Sequence, residues 1–431
     1  MKYTTFHHYL EEQKENILQN CNACAKCIRI CPNAKAFDLT GDQIKELPRK
    51  LLDVVAGGEI TQEVFQWVFG CTQCGICVPV CPQGIDMMTF RTLLRREMLR
   101  QKHRHVVMLR DMLSSPQHGF QRSFDILEKL FVNPDQRKWL TGVPETVSPV
   151  ETVVFIGCTG LIRPDVAFSL LDIMDMLGED YVALGSAQLC CGNPFKMAGD
   201  IDAFETHLRN LFETLTAFSP TRVLYACAEC LRNGLSAAQK IVDIPFEQQS
   251  AVTFIADNIK RLPFKNVCRE KVTFHDPCSL GRHCGDFDSP RTILRRIPGA
   301  DFEEMENVKE ESPCCGAASE TFFPGKNEPM RQKRLQDFKN SGAQRLVTAC
   351  VGCESTYQKW KNHDEMETVN LFPFILEHLG MTRQNPLKPY YPTKDVDAVI
   401  ENYRGNIPAG PYTEDEYRAV VAKFLGVAKK K

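Results

Sequence analysis

Eight of the twenty cysteines in this 431-residue chain recur at one spacing. Cys21, Cys24, Cys27 and Cys31 run straight into Pro32, and Cys71, Cys74, Cys77 and Cys81 run straight into Pro82. Three thiols separated by two residues must share a tight loop, while a fourth beyond a turn points away from it. Disulfides do not account for such a set. The N-terminal stretch to Asn20 is polar with scattered charges, and no run of about eighteen apolar residues exists, so neither a signal peptide nor a membrane span is expected. Without an export route the compartment is reducing and does not maintain structural disulfides. The expected location is cytoplasmic, or peripheral to a membrane through another protein of a complex.

The spacing is the one that wraps a [4Fe-4S] cube, with the fourth cysteine of each run serving the neighbouring cluster. That cross-over rule assigns one cubane to Cys21, Cys24, Cys27 and Cys81, and a second to Cys71, Cys74, Cys77 and Cys31. Structural zinc also uses paired Cys-x2-Cys groups. A third cysteine at the same step and a terminal Cys-Pro, both occurring twice, favour iron-sulfur. Two adjacent cubanes form a path for single electrons and do no bond chemistry, since every iron already has its thiolate. Between the motifs the pattern is helical, with a run from Pro48 stopped by Gly57 and another N-capped by Thr61.

A second block of cysteines repeats itself. Cys158, Cys190-Cys191-Gly192 and Cys227-x2-Cys230 return as Cys278, Cys314-Cys315-Gly316 and Cys350-x2-Cys353, at offsets of 120, 124, 124, 123 and 123 residues. A repeat so nearly in register is a duplication. Each copy alternates short β-branched runs with helical patterns such as Pro164 to Gly178, which predicts βα units around a parallel sheet. Ligand-binding loops in that architecture lie beyond the carboxyl ends of strands. Cys158, Cys227, Cys278 and Cys350 each follow an apolar run closely, so five thiols from three loops are expected to gather at one sheet edge in each copy. The expected fold class is α+β: a helical dicluster ferredoxin domain (residues 1–110), a linker (111–150), two α/β cysteine-rich domains (151–262 and 263–384), and a tail with a terminal helix (385–431). A single helical run from Met98 past Arg110 is expected to break at Ser114-Ser115-Pro116. Thr413 to Glu416 has the capping-box form, and Lys429 to Lys431 are expected to fray.

The Cys-Cys-Gly pattern resembles the cysteine-rich (CCG) domains of the heterodisulfide reductases, and a ferredoxin followed by two such repeats in one chain resembles the fused iron-sulfur polypeptide of that family. The long helical interval of the first block is similar to the dicluster domains of the separate ferredoxin-type polypeptide of heterodisulfide reductase and of the iron-sulfur polypeptide of succinate dehydrogenase. The resemblance covers Cys21 to Cys353. It implies that Cys158, Cys190, Cys191, Cys227 and Cys230 hold one noncubane [4Fe-4S] cluster, that Cys278, Cys314, Cys315, Cys350 and Cys353 hold another, and that a disulfide substrate is cleaved between the two. Related iron-sulfur components of glycolate oxidase and anaerobic glycerol-3-phosphate dehydrogenase often lack cysteines of the first repeat, whereas this chain lacks none. The alternative function is accordingly electron transfer within a complex containing a flavin-dependent lactate, glycolate or glycerol-3-phosphate dehydrogenase.

Lysine and arginine total 52 against 54 acidic residues, a balance without the basic signature of nucleic-acid or anionic-lipid binding. Neither Gly-x-Gly-x-x-Gly after a strand nor a Walker motif is present, so flavin, nicotinamide and ATP belong to partners: a flavoprotein, a hydrogenase or a membrane cytochrome b. His275, in His-Asp-Pro-Cys before Cys278, is the candidate catalytic residue, able to hydrogen-bond cluster sulfur or hand a proton to a leaving thiolate. Asp276, His283, Arg282 and Asn193 belong to the same loops. Outside the motifs, Cys268 opens a strand and is expected to be a small buried side chain, while Cys284, six residues past Cys278 and beside His283, is expected to serve packing, its alternative being a place near the second copy's cluster.

Overall fold

The computed structural model describes residues 2–117, 119–320, 322–360, 362–407 and 411–427; Lys429 to Lys431 lie outside them. The helices Phe6–Asn20, Gly41–Val55, Gln62–Phe69 and Met87–Arg100 build the N-terminal domain, all with side-chain N-caps except Gln62–Phe69, where Thr61 stands at the N-cap without a capping hydrogen bond. Their inward faces bury Leu10, Leu51, Val54, Trp67, Val68 and Leu93 in one core. The second of these helices starts earlier than its sequence suggests. Thr40 and Gln43 form a reciprocal capping box, so Pro48 sits inside the helix, where the buried face of Leu47, Leu51, Val54 and Val55 offsets the hydrogen bond a proline cannot make. The run expected from Met98 past Arg110 is two helices, Met87–Arg100 and Arg104–Ser114, because Lys102 turns the chain with φ at 54°.

Each CCG copy is a four-stranded, wholly parallel sheet. The first contains β1 (Thr152–Phe155), β2 (Tyr181–Leu184), β3 (Arg222–Tyr225) and β4 (Glu247–Ser250), in the order β2-β1-β3-β4. The second contains β5 (Lys271–His275), β6 (Asp301–Phe302), β7 (Arg345–Thr348) and β8 (Thr368–Asn370), in the equivalent order β6-β5-β7-β8. The order reverses between β1 and β3, and between β5 and β7, which opens a crevice beyond the carboxyl ends of those central strands.

The two copies pack reciprocally. The helix Pro164–Leu177 of the first lies against Leu371–His378 of the second, and Ala251–Asn258 lies against Ser289–Arg296, so both copies offer equivalent faces around one apolar core. A buried ion cluster joins them. Arg163 binds Asp165 within its own copy (2.6 Å) and Glu354 of the other (2.7 Å), all three side chains being 2% exposed. The linker and tail segments also meet: Ile126, Leu127 and Leu130 of the helix Phe120–Phe131 share a core with Val399, Ile400, Tyr417 and Val421. The Thr413–Glu416 capping box is formed there.

Removing one partner of a buried ion cluster strands the others in low dielectric. Arg163→Met should therefore destabilise the fold by about 3 kcal/mol, because Asp165 and Glu354 lose their counter-charge. Adding Glu354→Met should return part of that loss, as read by urea unfolding followed by circular dichroism.

Candidate metal centres

The ferredoxin-type loops share an unusual backbone. Ala23 and Ala25 (φ 54° and 60°) flank Cys24, and Gln73 and Gly75 (φ 58° and 77°) flank Cys74, so both motifs alternate ordinary and left-handed residues at matching positions. For a non-glycine residue this costs about 1 kcal/mol each, and it curls the loop around its thiols. Gln73 N–H points back at Cys71 Sγ, 3.2 Å away.

These loops bring the eight thiols together in two sets. Cys27 lies in the electrostatic reach of Cys21, Cys24 and Cys81, and all four line one small cavity. Cys77 has Cys71, Cys31 and Cys74 around it. Each set thus takes three cysteines from one motif and the last from the other. Burial pushes the Cys27 and Cys74 thiols up to about 12, so without a cation they stay protonated at neutral pH.

In the first CCG copy Cys158 follows β1, Cys190 and Cys191 follow β2, and Cys227, which N-caps the helix Ala228–Asn233, follows β3 with Cys230 one turn on. Side-chain contacts join them in the order Cys158, Cys190, Cys191, Cys230, Cys227. The second copy repeats the chain as Cys278, Cys314, Cys315, Cys353, Cys350. Both glycines of the Cys-Cys-Gly motifs have positive φ, 75° and 83°, and a Cβ there would stand 2.8 Å from Phe204 O or 2.5 Å from Asn327 Cβ, which explains the residue type.

The surroundings fit anionic clusters better than bare thiols. Arg91 is buried, stacked 3.6 Å from the Trp67 ring centroid; its hydrogen bonds go to Trp67 O and, at 3.8 Å, Cys31 Sγ. A buried guanidinium that has no carboxylate partner among the described residues is costly, and thiolates holding a metal cluster beside it would supply the missing charge. His275, 1% exposed, has no hydrogen-bond partner at either ring nitrogen among the described residues; it lies with Cys315 and Cys353 in a group whose ligand atoms are within 4.8 Å of one another. Burial, and then the Arg334 guanidinium, hold its pKa well below the usual histidine range, so the imidazole is neutral. A neutral ring with both nitrogens free fits a hydrogen bond to cluster sulfur. It makes a poor proton donor, because giving up a proton as an acid requires the imidazolium.

Other residues of these loops have structural tasks. Asp276 pairs with Arg291 (2.7 Å) and accepts the Lys309 N–H (2.8 Å), fixing the loop that carries Cys278. Arg282 donates to Cys74 O (2.6 Å), and His283 Nε2 meets Gln73 O (2.7 Å), so both tie the second copy to the ferredoxin loop. Asn193 Nδ2 reaches Met197 Sδ. Cys268 is buried, its Sγ 3.7 Å from Glu270 O, and Cys284 is 3.6 Å from Ala228 O, beside the first copy's loop. Sequence reading missed Arg91, Lys196 and Asn233. Asn233 donates to Cys191 Sγ (3.5 Å) and accepts from Lys196. The only sign of Arg91 in the sequence is a basic residue set among apolar helical neighbours.

The sites are contiguous. Cys74 lies in the field of Cys314, and Thr72 hydrogen-bonds Cys314, which sets the second ferredoxin thiols against the second CCG thiols. Arg232 of the first copy lies in the field of Cys278, and its Glu229 in that of Cys350, so the two CCG sites face each other across this pair.

A 4Fe-4S dicluster domain model matches residues 11–86, and a cysteine-rich CCG domain model matches residues 152–233 and 272–358. The chain is a dicluster and CCG-domain iron-sulfur protein. One polypeptide of the dihydromethanophenazine:CoB--CoM heterodisulfide reductase of Methanosarcina mazei is 29% identical over 84% of this chain and 94% of its own length. One polypeptide of the fumarate reductase (CoM/CoB) of Methanothermobacter marburgensis is 26% identical over 78% of this chain and 67% of that one. An EtfAB:quinone oxidoreductase of Syntrophomonas wolfei is 22% identical, over 74% of this chain and 46% of that one. Among the described residues no helix is long and apolar enough to cross a membrane.

The thiol sets differ in what surrounds them. Cys24 lies in the outer set, whereas Cys74 adjoins Cys278 and Cys314. Cys24→Ser should remove one cubane signal from the electron paramagnetic resonance spectrum of the reduced protein and leave the CCG signals intact. Cys74→Ser should perturb both its own cubane and the second CCG site.

Proposed function

We propose that this chain is an iron-sulfur disulfide reductase of heterodisulfide reductase type, which takes single electrons through two cubanes and delivers them to a site formed by both CCG copies. Cys21, Cys24, Cys27 and Cys81 hold the outer cubane, and Cys71, Cys74, Cys77 and Cys31 the inner one. The two five-cysteine sets each hold a noncubane [4Fe-4S] cluster. Clusters so held supply one-electron transfer and iron with affinity for sulfur. The reading rests on one observation above all: both five-thiol sets are complete and face each other across Glu229 and Arg232, with the inner ferredoxin set against one of them.

Reduction of R-S-S-R' breaks one sulfur-sulfur bond and consumes two electrons and two protons, giving R-SH and R'-SH. Two facing sites suit a reaction that must divide two sulfurs and two electrons. His275 would give the second site a hydrogen bond through a ring nitrogen, as Asn233 Nδ2 gives Cys191 Sγ at the first. His275 serves as a positioning residue in this scheme, and the two protons come from solvent. Redox partners, a flavoprotein, hydrogenase or cytochrome b, supply the electrons. The similarity to the EtfAB:quinone oxidoreductase supports a second reading, in which the chain relays electrons from a flavin-dependent dehydrogenase.

Anaerobically purified protein should contain about sixteen iron and sixteen acid-labile sulfide atoms per chain, the content of four four-iron clusters; stoichiometric zinc without sulfide would end both readings.

The dye-reduced protein should reduce one or more low-molecular-weight disulfides. Cys191→Ser or Cys315→Ser alone should cut that rate at least a hundredfold while the cubanes still reduce. Wild type inert towards every disulfide, yet exchanging electrons with a flavoprotein, would select the relay.

A further inference from the structure

A cavity of about 1000 Å³ is lined by no cysteine among the described residues. It opens where the ferredoxin domain meets both CCG copies, between the helix Met87–Arg100, the helix Asn193–Ala198 and the helical turn Gly281–Cys284. Four cations in its wall stand out. Arg95 and Lys196 are 3% and 8% exposed. Arg95 Nη2 donates to Val68 O, and its Nε has no partner. Lys196 reaches the amide oxygen of Asn233 and lies over the Phe204 ring. Arg282 donates to the backbone carbonyls of Cys74, Glu310 and Ser312, and Lys240 at the mouth lies over the Tyr9 ring. Among the described residues none of these four is paired with a carboxylate.

Asp86 and Glu229 lie in the field of Lys196, but among the described residues no acid of this wall forms an ion pair with any of the four. Asp86 is spent capping the helix Met87–Arg100 through Met88 N–H, Thr89 N–H and the Thr89 hydroxyl, and Glu310 and Glu311 lie at the rim. Arg232 already has Glu229. Between the cations the surface is apolar, with Val78, Met88 and Phe287. Desolvated cations without counter-charge are expensive. Part of this charge offsets the cysteine sites behind the wall, since Arg95 is in the field of Cys71 and Lys196 in that of Cys191. Lys240, at the mouth, adds positive charge on the side that faces solvent.

We propose that this cavity binds a small organic molecule carrying two or more oxyanion groups, whether carboxylate, phosphate or sulfonate, on an apolar body. The cations take the oxyanions, and the apolar strip takes the body between them. Gln73 and Gly75, in the loop of the inner ferredoxin set, form part of the same wall, so the bound anion lies in that set's field. A negative charge there opposes the arrival of another electron. Occupancy therefore lowers the reduction potential of the inner cubane. This holds whichever acceptor the clusters serve, and it is tested without turnover.

The test is calorimetric titration of the anaerobic, cluster-replete full chain with pyrophosphate, citrate and naphthalene disulfonate, each against chloride at matched ionic strength. Saturable one-site binding of at least one of them is expected, with the inner cubane's potential moving negative at saturation. Lys196→Met should weaken binding tenfold or more, the loss typical of a charged hydrogen bond. Should that variant lose its clusters, Lys240→Met, half-exposed at the mouth, should still weaken binding several-fold with iron and sulfide unchanged. No saturable binding of any of the three anions would overturn the proposal and leave the cations as charge compensation for the clusters alone. Variants that bind as tightly as wild type would overturn it equally.

Discussion

Thiols separated by more than thirty residues can meet only where a fold brings loop ends together, and parallel strands end together. In each CCG copy the two central strands, β1 and β3 or β5 and β7, lie side by side in register. The loops leaving their carboxyl ends part in opposite directions, and Cys158 and Cys227, or Cys278 and Cys350, sit at that parting. The paired cysteines arrive from the neighbouring strand. The rest of the domain serves this crevice: outer helices bury the sheet faces, Arg163 locks one copy to the other, and the glycines after the paired cysteines let backbone or side chain pass close behind the thiols.

Charge is the second organising demand. Eighteen clustered cysteines become strongly anionic once metal-bound, and a buried anion needs a buried cation or hydrogen-bond donor. Arg91 stacked on Trp67 meets it at the inner ferredoxin set. Asn233, backed by Lys196, meets it at Cys191. His275 and Arg334 stand at the second CCG set. Even with Arg91 and Arg282 in their fields, burial keeps Cys27 and Cys74 raised, so a bound metal is needed before they give up their protons.

Duplication did not leave the two sites alike. Where the second copy has His275 at the end of its first strand, the first has Phe155, and the position of Tyr357 is held by Gly234. The second site thus has His275 beside Cys315 and Cys353 with Arg334 behind it, whereas the first has the amide of Asn233 backed by Lys196, with Tyr225 and His207 in the field of its thiols. Clusters in such different fields have different affinities for electrons, because a nearby donor or cation favours the reduced form. That asymmetry suits ordered delivery of two electrons, with the inner ferredoxin set adjoining one copy only.

The sequence by itself determined the motifs, the duplication and the parallel βα architecture, because metal spacing and hydrophobic period are local or repeat at a fixed interval. The parallel sheets, the helix Pro164–Leu177 and the Thr413 cap follow that reading. It misplaced what depended on tertiary packing. Pro48 lies within a helix because a buried face outweighs its missing hydrogen bond, and the linker and tail fold onto each other because their apolar faces are far apart in sequence and adjacent in space. The contiguity of the four thiol sets, the neutrality of His275 and the cation-walled cavity were decided only by the tertiary structure. Each arises from side chains of different domains meeting in low dielectric, where a charge is governed by its neighbours rather than by its place in the chain.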